Sequence, residues 1–473
     1  METSSIAQPR GAELVVERES PVNGKLVSSE ATESRASSLR LVTRAAAAYP
    51  AWSARTANER GAILASAANA LEDFGPELGL AMVEEIGATK EWVRKNLSLG
   101  ADLLRQIGTY ADEVERITEI ADARSHYSRA VRVPCGVVLG ISPWNAPLVL
   151  GLRAIAAPLL CGNTVLLKGS EFAPRTFRLL GEALAQSDLP EDVVQVFLTR
   201  AEDSEKVVES LIASPVVRRV NFTGSTRVGR RVAELSAKYL KRPLLELGGQ
   251  SAMLVLDDAD LDLAVEAALV GGFLNQGQVC MSTERLIVAE SIADAFVARL
   301  EALRQDLVLG DPRDEKTDLG PVVNAAAAER LAGLIGDAVS KGAVRVGGGR
   351  VRGAYVEPTL LDFVEPDMRI YREEVFGPVL SITRVANDLE AVTVANDSDY
   401  GLTAAVFGRD LVRAESVARQ IQSGICHINR PTFDDTPHAP VGGVKASGYG
   451  RFGGAWAISE FTEVRWITSP SVD

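Results

Sequence analysis

The sequence predicts an α/β protein in which two parallel-sheet domains follow a helical opening. Three observations lead there. At 473 residues the chain exceeds what one hydrophobic core normally serves. From Val131 onward, short runs rich in Val and Leu alternate with helical stretches, the pattern of βαβ units. A second series of the same kind begins near Ser251.

Taken in order, residues 41–120 carry apolar side chains three and four apart, most clearly in 61–71 and 77–88, and this period predicts helices. The first series places strands at 137–141, 164–168, 193–197 and 220–222. The second places them at 252–256, 284–289, 379–385, 403–407 and 424–428. Residues 342–353, with their Gly347-Gly348-Gly349 run, read as a surface turn.

Composition removes several function classes. A net charge of −13 disfavours a nucleic-acid partner, which is held mainly by clustered Lys and Arg. Arg227, Arg230 and Arg231 form the densest basic group and read as a solvated helix face. Glu13, Glu17, Arg18 and Glu19 leave no apolar core for a secretory signal near the start, so the expected compartment is the cytoplasm. The longest apolar stretch, 137–157, is broken by Pro143, Asn145, Pro147 and Arg153, and no membrane span is expected. Cys135, Cys161, Cys280 and Cys426 stand far apart and read as reduced thiols. With three histidines, no metal site is expected.

The one literal G-x-G-x-x-G, at Gly448, Gly450 and Gly453, follows a broken segment rather than a buried strand, and lacks room for an acid about 20 residues later. It is not read as a dinucleotide fingerprint. Three other segments carry chemistry. Cys280, behind Asn275-Gln276-Gly277-Gln278-Val279, is a thiol presented in a turn, or a buried structural cysteine. Glu246, before Gly248-Gly249, is a general base of raised pKa, or a helix-end carboxylate. Asn145 closes the first strand of the first series, where its amide can donate to an oxyanion or mark an ordinary turn.

Taken together, Pro143-Trp144-Asn145, Glu246-Leu247-Gly248-Gly249 and Gly277-Gln278-Val279-Cys280 resemble, in order and spacing, the aldehyde dehydrogenase superfamily. The resemblance continues through Phe222-Thr223-Gly224-Ser225, Glu374-Val375-Phe376-Gly377-Pro378, Asn396-Asp397 and Gly442-Gly443-Val444-Lys445. Asn145-Ala146-Pro147, Cys280-Met281-Ser282-Thr283 and the C-terminal pattern through Glu460-Phe461-Thr462-Glu463 look most like the salicylaldehyde, benzaldehyde and vanillin dehydrogenases.

The resemblance implies two Rossmann-like domains: 1–115 with 136–247 for NAD, and 248–440 for catalysis. Residues 116–135 and 441–473 would form a β extension joining subunits of a homodimer or homotetramer. It implies Cys280 as nucleophile, Asn145 with the Cys280 N–H as oxyanion donors, and Glu246 as the base that activates water. The oxidised product would be a carboxylic acid released from a thioester. Lys168 and Glu171 would hold the adenosine ribose, Gly224 and Ser225 the pyrophosphate, and Glu374 and Phe376 the nicotinamide ribose and ring, with Gly248 and Trp144, which lies beside the oxyanion amide, also cofactor-binding. Glu171 would repel a 2′-phosphate, which favours NAD, with NADP possible.

Arg153, Val279, Met281 and Val441 are the expected substrate-tunnel residues. Val441 stands where relatives carry Phe, removing an aromatic wall. Arg153 stands where many aliphatic-aldehyde relatives carry an aromatic residue, and either meets a ring hydroxyl or carboxylate or pairs with a structural acid. Gln250 replaces a frequent Lys and is expected to leave the chemistry untouched. The alternatives are a CoA-acylating or aliphatic aldehyde dehydrogenase and, more remotely, a cysteine hydrolase. Glu246 favours water as acyl acceptor.

Overall fold

A computed structural model describes residues 14–121 and 127–470. Residues 1–13, which begin the N-terminal stretch considered above, and residues 122–126 of the expected extension lie outside it.

The described chain opens on an antiparallel hairpin, Val15–Glu19 with Leu26–Ala31, which the sequence reading missed. The inward positions of its first strand are Val16 and Arg18, so a buried cation interrupts the apolar alternation that marks a strand. Helices Arg35–Ser53, Ala57–Asp73, Gly75–Ile86 and Lys90–Ile107 follow. Ser34 and Thr56 start the first two with capping boxes that satisfy otherwise unpaired N–H groups.

The first sheet holds five parallel strands: Arg242–Glu246, Val217–Thr223, Val137–Ile141, Thr164–Lys168 and Val194–Phe197, in that spatial order. The order reverses direction between Val137–Ile141 and Val217–Thr223. Ligands of such sheets bind at this switch, outside the carboxyl ends of the strands. Gly448–Tyr449 adds an antiparallel strand beside Arg242–Glu246, so part of the segment expected in the extension belongs to this sheet.

The second sheet has seven strands, ordered Val344–Gly347, Thr359–Asp362, Val379–Val385, Thr283–Ala289, Ser251–Val255, Thr403–Phe407 and Ile425–Ile428. All pairs are parallel except the first. Two of these strands correct the sequence reading. Residues 344–347, expected within a surface turn, form the edge strand, residues 351–352 form a further short strand, and positive φ is left to Gly342, Gly348, Gly349 and Gly353. Thr359–Asp362 is buried throughout, but its four residues are too few to show a period.

A third, antiparallel sheet joins Thr462–Ser469, Tyr127–Pro134 and Ile117–Glu119. Val464 and Trp466 on it remain 65% and 63% exposed. Behind the first sheet, every residue of helix Pro147–Leu160 is buried. That helix begins two residues after Asn145, so tight packing fixes the loop carrying this side chain.

Candidate active site

Cys280 lies just beyond an energetically costly turn. After helix Leu261–Phe273, Asn275, Gln276 and Gly277 take left-handed backbone in succession, at φ of 50°, 57° and 67°. Each non-glycine residue held there costs on the order of 1–3 kcal/mol, so tertiary contacts must offset the strain. Gln276 Nε2 donates to the carbonyls of Gly87 at 3.1 Å and Pro321 at 2.8 Å. Gln278 Oε1 accepts the Val323 N–H at 2.8 Å. A Cβ at Gly277 would collide with the Gly377 carbonyl, and one at Gly249 with the carbonyl of Cys280 itself. Glycine at both positions is therefore the condition for this close packing.

Asn145 is fixed from three sides. Its carbonyl accepts from Trp92 Nε1 at 2.7 Å and Asn275 Nδ2 at 3.2 Å, while its own amide donates to the Gln278 carbonyl at 3.0 Å. An amide nitrogen carries two hydrogens, so one remains for a developing oxyanion. The Cys280 backbone N–H also has no partner among the described residues.

Glu246 ends its strand buried, with Oε1 unpartnered. Gly448 pairs opposite it, and a Cβ at Gly448 would collide with the Leu245 carbonyl. The literal G-x-G-x-x-G thus packs its first glycine against the strand that carries Glu246. Burial pushes the Glu246 carboxyl up to about 8 against the pull of the Arg153 and Arg451 guanidiniums. Burial likewise pushes the Cys280 thiol up to about 12, reinforced by the carboxylates of Glu246 and Glu374 and opposed by Arg153. The resting pair at neutral pH is therefore a thiol and a largely protonated acid.

Asn145, Glu246 and Cys280 line one pocket, and the four expected substrate residues Arg153, Val279, Met281 and Val441 line it too. Trp92 and Phe433, with ring centroids 5.8 Å apart, supply aromatic wall. Of the two outcomes open for Arg153, the structure has pairing with an acid: Nη2 lies 2.5 Å from Asp435 Oδ2, and both side chains are buried. The pair nonetheless faces the pocket, and Arg153 Nε and Asp435 Oδ1 have no partner.

Cys280 and Asn145 also line an adjoining cleft with Trp144, Gly224, Ser225, Gly248, Glu374 and Phe376. The cleft continues outward past Trp144, Gly224 and Ser225 to Lys168 and Glu171, whose charged ends are 3.9 Å apart. The residues present fit a dinucleotide. Ser225 caps helix Thr226–Lys238, whose N-terminus favours a pyrophosphate. A Cβ at Gly224 would come within 2.6 Å of the Phe222 ring, and one at Gly248 within 2.7 Å of Glu374 Oε2, so both stay bare where the chain borders the cleft. Trp144 and Phe376 meet edge to face at 5.9 Å beside Cys280. Among the described residues, no cluster of His, Cys, Asp or Glu suits a metal ion, and no helix is long and apolar enough to cross a membrane.

Sequence reasoning missed Trp92, Asp435, Glu284 and Arg330. Trp92 occurs in the helical opening, where it reads as core, and Asp435 in an irregular loop without periodicity. Glu284 had one available signal, a carboxylate with Arg285 at the head of a run whose remainder, Leu286 to Ala289, is apolar enough to be a buried strand. Gln250, expected to leave the chemistry untouched, donates from Nε2 to the carbonyls of Ile370, Tyr371 and Glu373, just ahead of Glu374.

Comparison with known proteins identifies the family. The family model described as "Aldehyde dehydrogenase family" matches residues 8–467. The vanillin dehydrogenase of Pseudomonas fluorescens is 50% identical over 452 residues, covering 96% of this chain and 94% of its own. The crystal structure of a salicylaldehyde dehydrogenase from Pseudomonas putida G7 complexed with salicylaldehyde superposes with a TM-score of 0.95 at 42% identity, covering 97% of this chain and 95% of that one. The structure of PnpE in complex with nicotinamide adenine dinucleotide gives 0.92 at 35% identity, covering 96% and 94%.

Proposed function

The chain belongs to the aldehyde dehydrogenase family, and from that premise we propose that it oxidises an aromatic aldehyde to the carboxylic acid, with NAD as hydride acceptor and water as acyl acceptor. One observation carries the reading: Cys280 and Asn145 line both the buried pocket and the cleft beside it, and Glu246 lines the same pocket. A carbonyl carbon bonded to the sulfur would have the cleft on one side and a base on the other.

Cys280 Sγ adds as the thiolate to the aldehyde carbon, its proton having passed to solvent. The Asn145 amide and the Cys280 N–H receive the oxyanion, each donor worth about 3–4 kcal/mol. NAD, when bound, accepts the hydride. The thioester left on Cys280 is hydrolysed by water that Glu246 deprotonates, which returns the thiol. A base lining the pocket of the thiol supports water over CoA.

The aromatic assignment rests on the names of the similar proteins, vanillin and salicylaldehyde dehydrogenases, and on the walls of Trp92 and Phe433. Both named substrates carry a ring hydroxyl, and Asp435 Oδ1 and Arg153 Nε are unpartnered polar atoms at the pocket. Asp435→Asn is expected to lower kcat/KM on hydroxylated benzaldehydes by about tenfold relative to plain benzaldehyde, the worth of one hydrogen bond to a charged group. Equal losses on both would remove the pair from substrate recognition.

Glu171 supports NAD over NADP. Glu171→Gln is expected to narrow that preference by about tenfold, since a charge repelling the 2′-phosphate is removed. An unchanged ratio of kcat/KM for the two cofactors would place discrimination elsewhere. The open edges of the third sheet and the exposed Val464 and Trp466 support a homo-oligomer, measurable by light scattering. All four cysteines are free thiols, which suits the cytoplasm.

The test is nicotinamide reduction with salicylaldehyde, vanillin, benzaldehyde and short aliphatic aldehydes, without CoA. Highest kcat/KM on the aromatic members supports the proposal. Preference for aliphatic members would retain the mechanism and discard the substrate class.

A further inference from the structure

Residues 370–376 carry Glu374 and Phe376 to the cleft, and the side chains of Gln250, Arg330 and Glu284 hold most of the peptide groups along them. Gln250 Nε2 takes the carbonyls of Ile370, Tyr371 and Glu373 at 3.1–3.4 Å. Arg330 Nη1 donates to the Glu374 carbonyl at 3.0 Å, and its Nη2 to the Val375 carbonyl. From the opposite side, Glu284 Oε2 accepts the Val375 N–H at 2.9 Å and Oε1 the Phe376 N–H at 2.8 Å. The peptides held in this way include one in a costly conformation, since Phe376 has φ of +44°.

Glu284 is 3% exposed and lies on a central strand of the second sheet, four residues past Cys280. Burying a carboxylate there is expensive, and its carbonyl oxygen and side chain both make long-range bonds, the former accepting from Ser381 Oγ at 2.8 Å. An apolar side chain would suit the strand better if packing were its only task. Burial opposes its ionisation most, the Glu374 carboxylate adds to that, and the Val375 and Phe376 N–H groups and the Arg330 guanidinium favour it.

We propose that Glu284 and Arg330 are positioning residues that grip residues 374–376 from opposite sides and so hold the Glu374 carboxylate and the Phe376 ring against the cleft beside Cys280. The inference rests on the reading of that cleft as the nicotinamide site. Without the grip, the Phe376 backbone relaxes toward negative φ, the ring leaves its edge contact with Trp144, and the nicotinamide end of the cofactor loses its wall. The aldehyde pocket and the thiol are untouched.

The experiment compares Glu284→Ala, Glu284→Gln and Arg330→Met with the unaltered enzyme. It reads KM for NAD against KM for benzaldehyde, NAD binding by quenching of tryptophan fluorescence, the kinetic isotope effect of deuterium on the aldehyde carbon, and alkylation of Cys280 by iodoacetamide without NAD. Glu284→Ala and Arg330→Met are each expected to weaken NAD binding or hydride transfer by about tenfold, with an enlarged isotope effect where transfer slows. Benzaldehyde KM and the alkylation rate should stay within about twofold. Glu284→Gln keeps one acceptor oxygen and should fall between. Should Glu284→Ala not fold, Glu284→Gln reads the same split, and it does so without altering Arg330, which itself lines the cleft.

Unchanged NAD binding and isotope effect in the variants would overturn the proposal. So would weaker NAD binding accompanied by an equal rise in benzaldehyde KM and a changed alkylation rate, because that marks general loosening of the fold. Failure of the unaltered enzyme to bind or reduce NAD is a different result, and would remove the proposed function itself.

Discussion

Replacing Cys280 by alanine is expected to lower aldehyde-dependent NAD reduction by at least about 10³-fold, while NAD binding and melting temperature change little. The loss is large because no other thiol lines the pocket or the cleft. Cys161 is buried, and burial pushes its thiol up in pKa, while Cys135 lies between strands Tyr127–Pro134 and Val137–Ile141 and Cys426 on strand Ile425–Ile428. Fold should survive because the turn that carries Cys280 is fixed by Gln276, Gln278, Gly277 and Gly249, not by the sulfur. Steady-state rates together with a fluorescence titration of NAD check both halves. Retention of more than about a tenth of the activity would deny Cys280 its role as nucleophile.

Glu246→Gln should be nearly as damaging, but at a different step. The glutamine is isosteric and cannot take a proton from water, so acylation proceeds once and turnover falls by about 10²–10⁴-fold, the usual worth of a positioned base. A burst of reduced nicotinamide close to one per active site, followed by slow release, is the expected signature. The pH dependence follows from burial. The carboxyl is held up to about 8, the base works only when deprotonated, and the active form is therefore lost as pH falls through that value. In the unaltered enzyme deacylation should rise from pH 7 to 9 with a midpoint near 8, and in Glu246→Gln this limb should vanish. A midpoint in the ordinary carboxylate range would mean that Glu246 is hydrated in the working enzyme.

Most strands of both parallel sheets were legible because buried strands write short Val- and Leu-rich runs, and 137–141, 164–168, 379–385 and 403–407 coincide with the elements formed, whereas 242–246, 344–347 and 359–362 were not placed. The N-terminal hairpin was not, since Arg18 takes an inward position: its Nε donates to the Glu85 carbonyl at 2.7 Å and its Nη2 to that of Val323 at 2.6 Å. That pairing is long-range and leaves no local trace. Short motifs located Cys280, Glu246 and Asn145, because each stands in or beside a Gly- or Pro-marked turn at the end of a strand or helix. Asp435 and Arg330 act through partners far away in sequence, Arg153 and Val375 among them, and only the fold brings these together. Gln250 illustrates the same limit: it was judged by the residue it replaces, while its three carbonyl partners lie more than a hundred positions on.

The central claim is a covalent thioester on Cys280, and the most direct measurement is the intact mass of Glu246→Gln after mixing with NAD and benzaldehyde, followed by peptide mapping. The account predicts one benzoyl group per chain on the peptide bearing Cys280, formed only when NAD is present and absent from Cys280→Ala. Reduced nicotinamide formed in step with free benzoate, and no acyl group on Cys280 at any time, would contradict it.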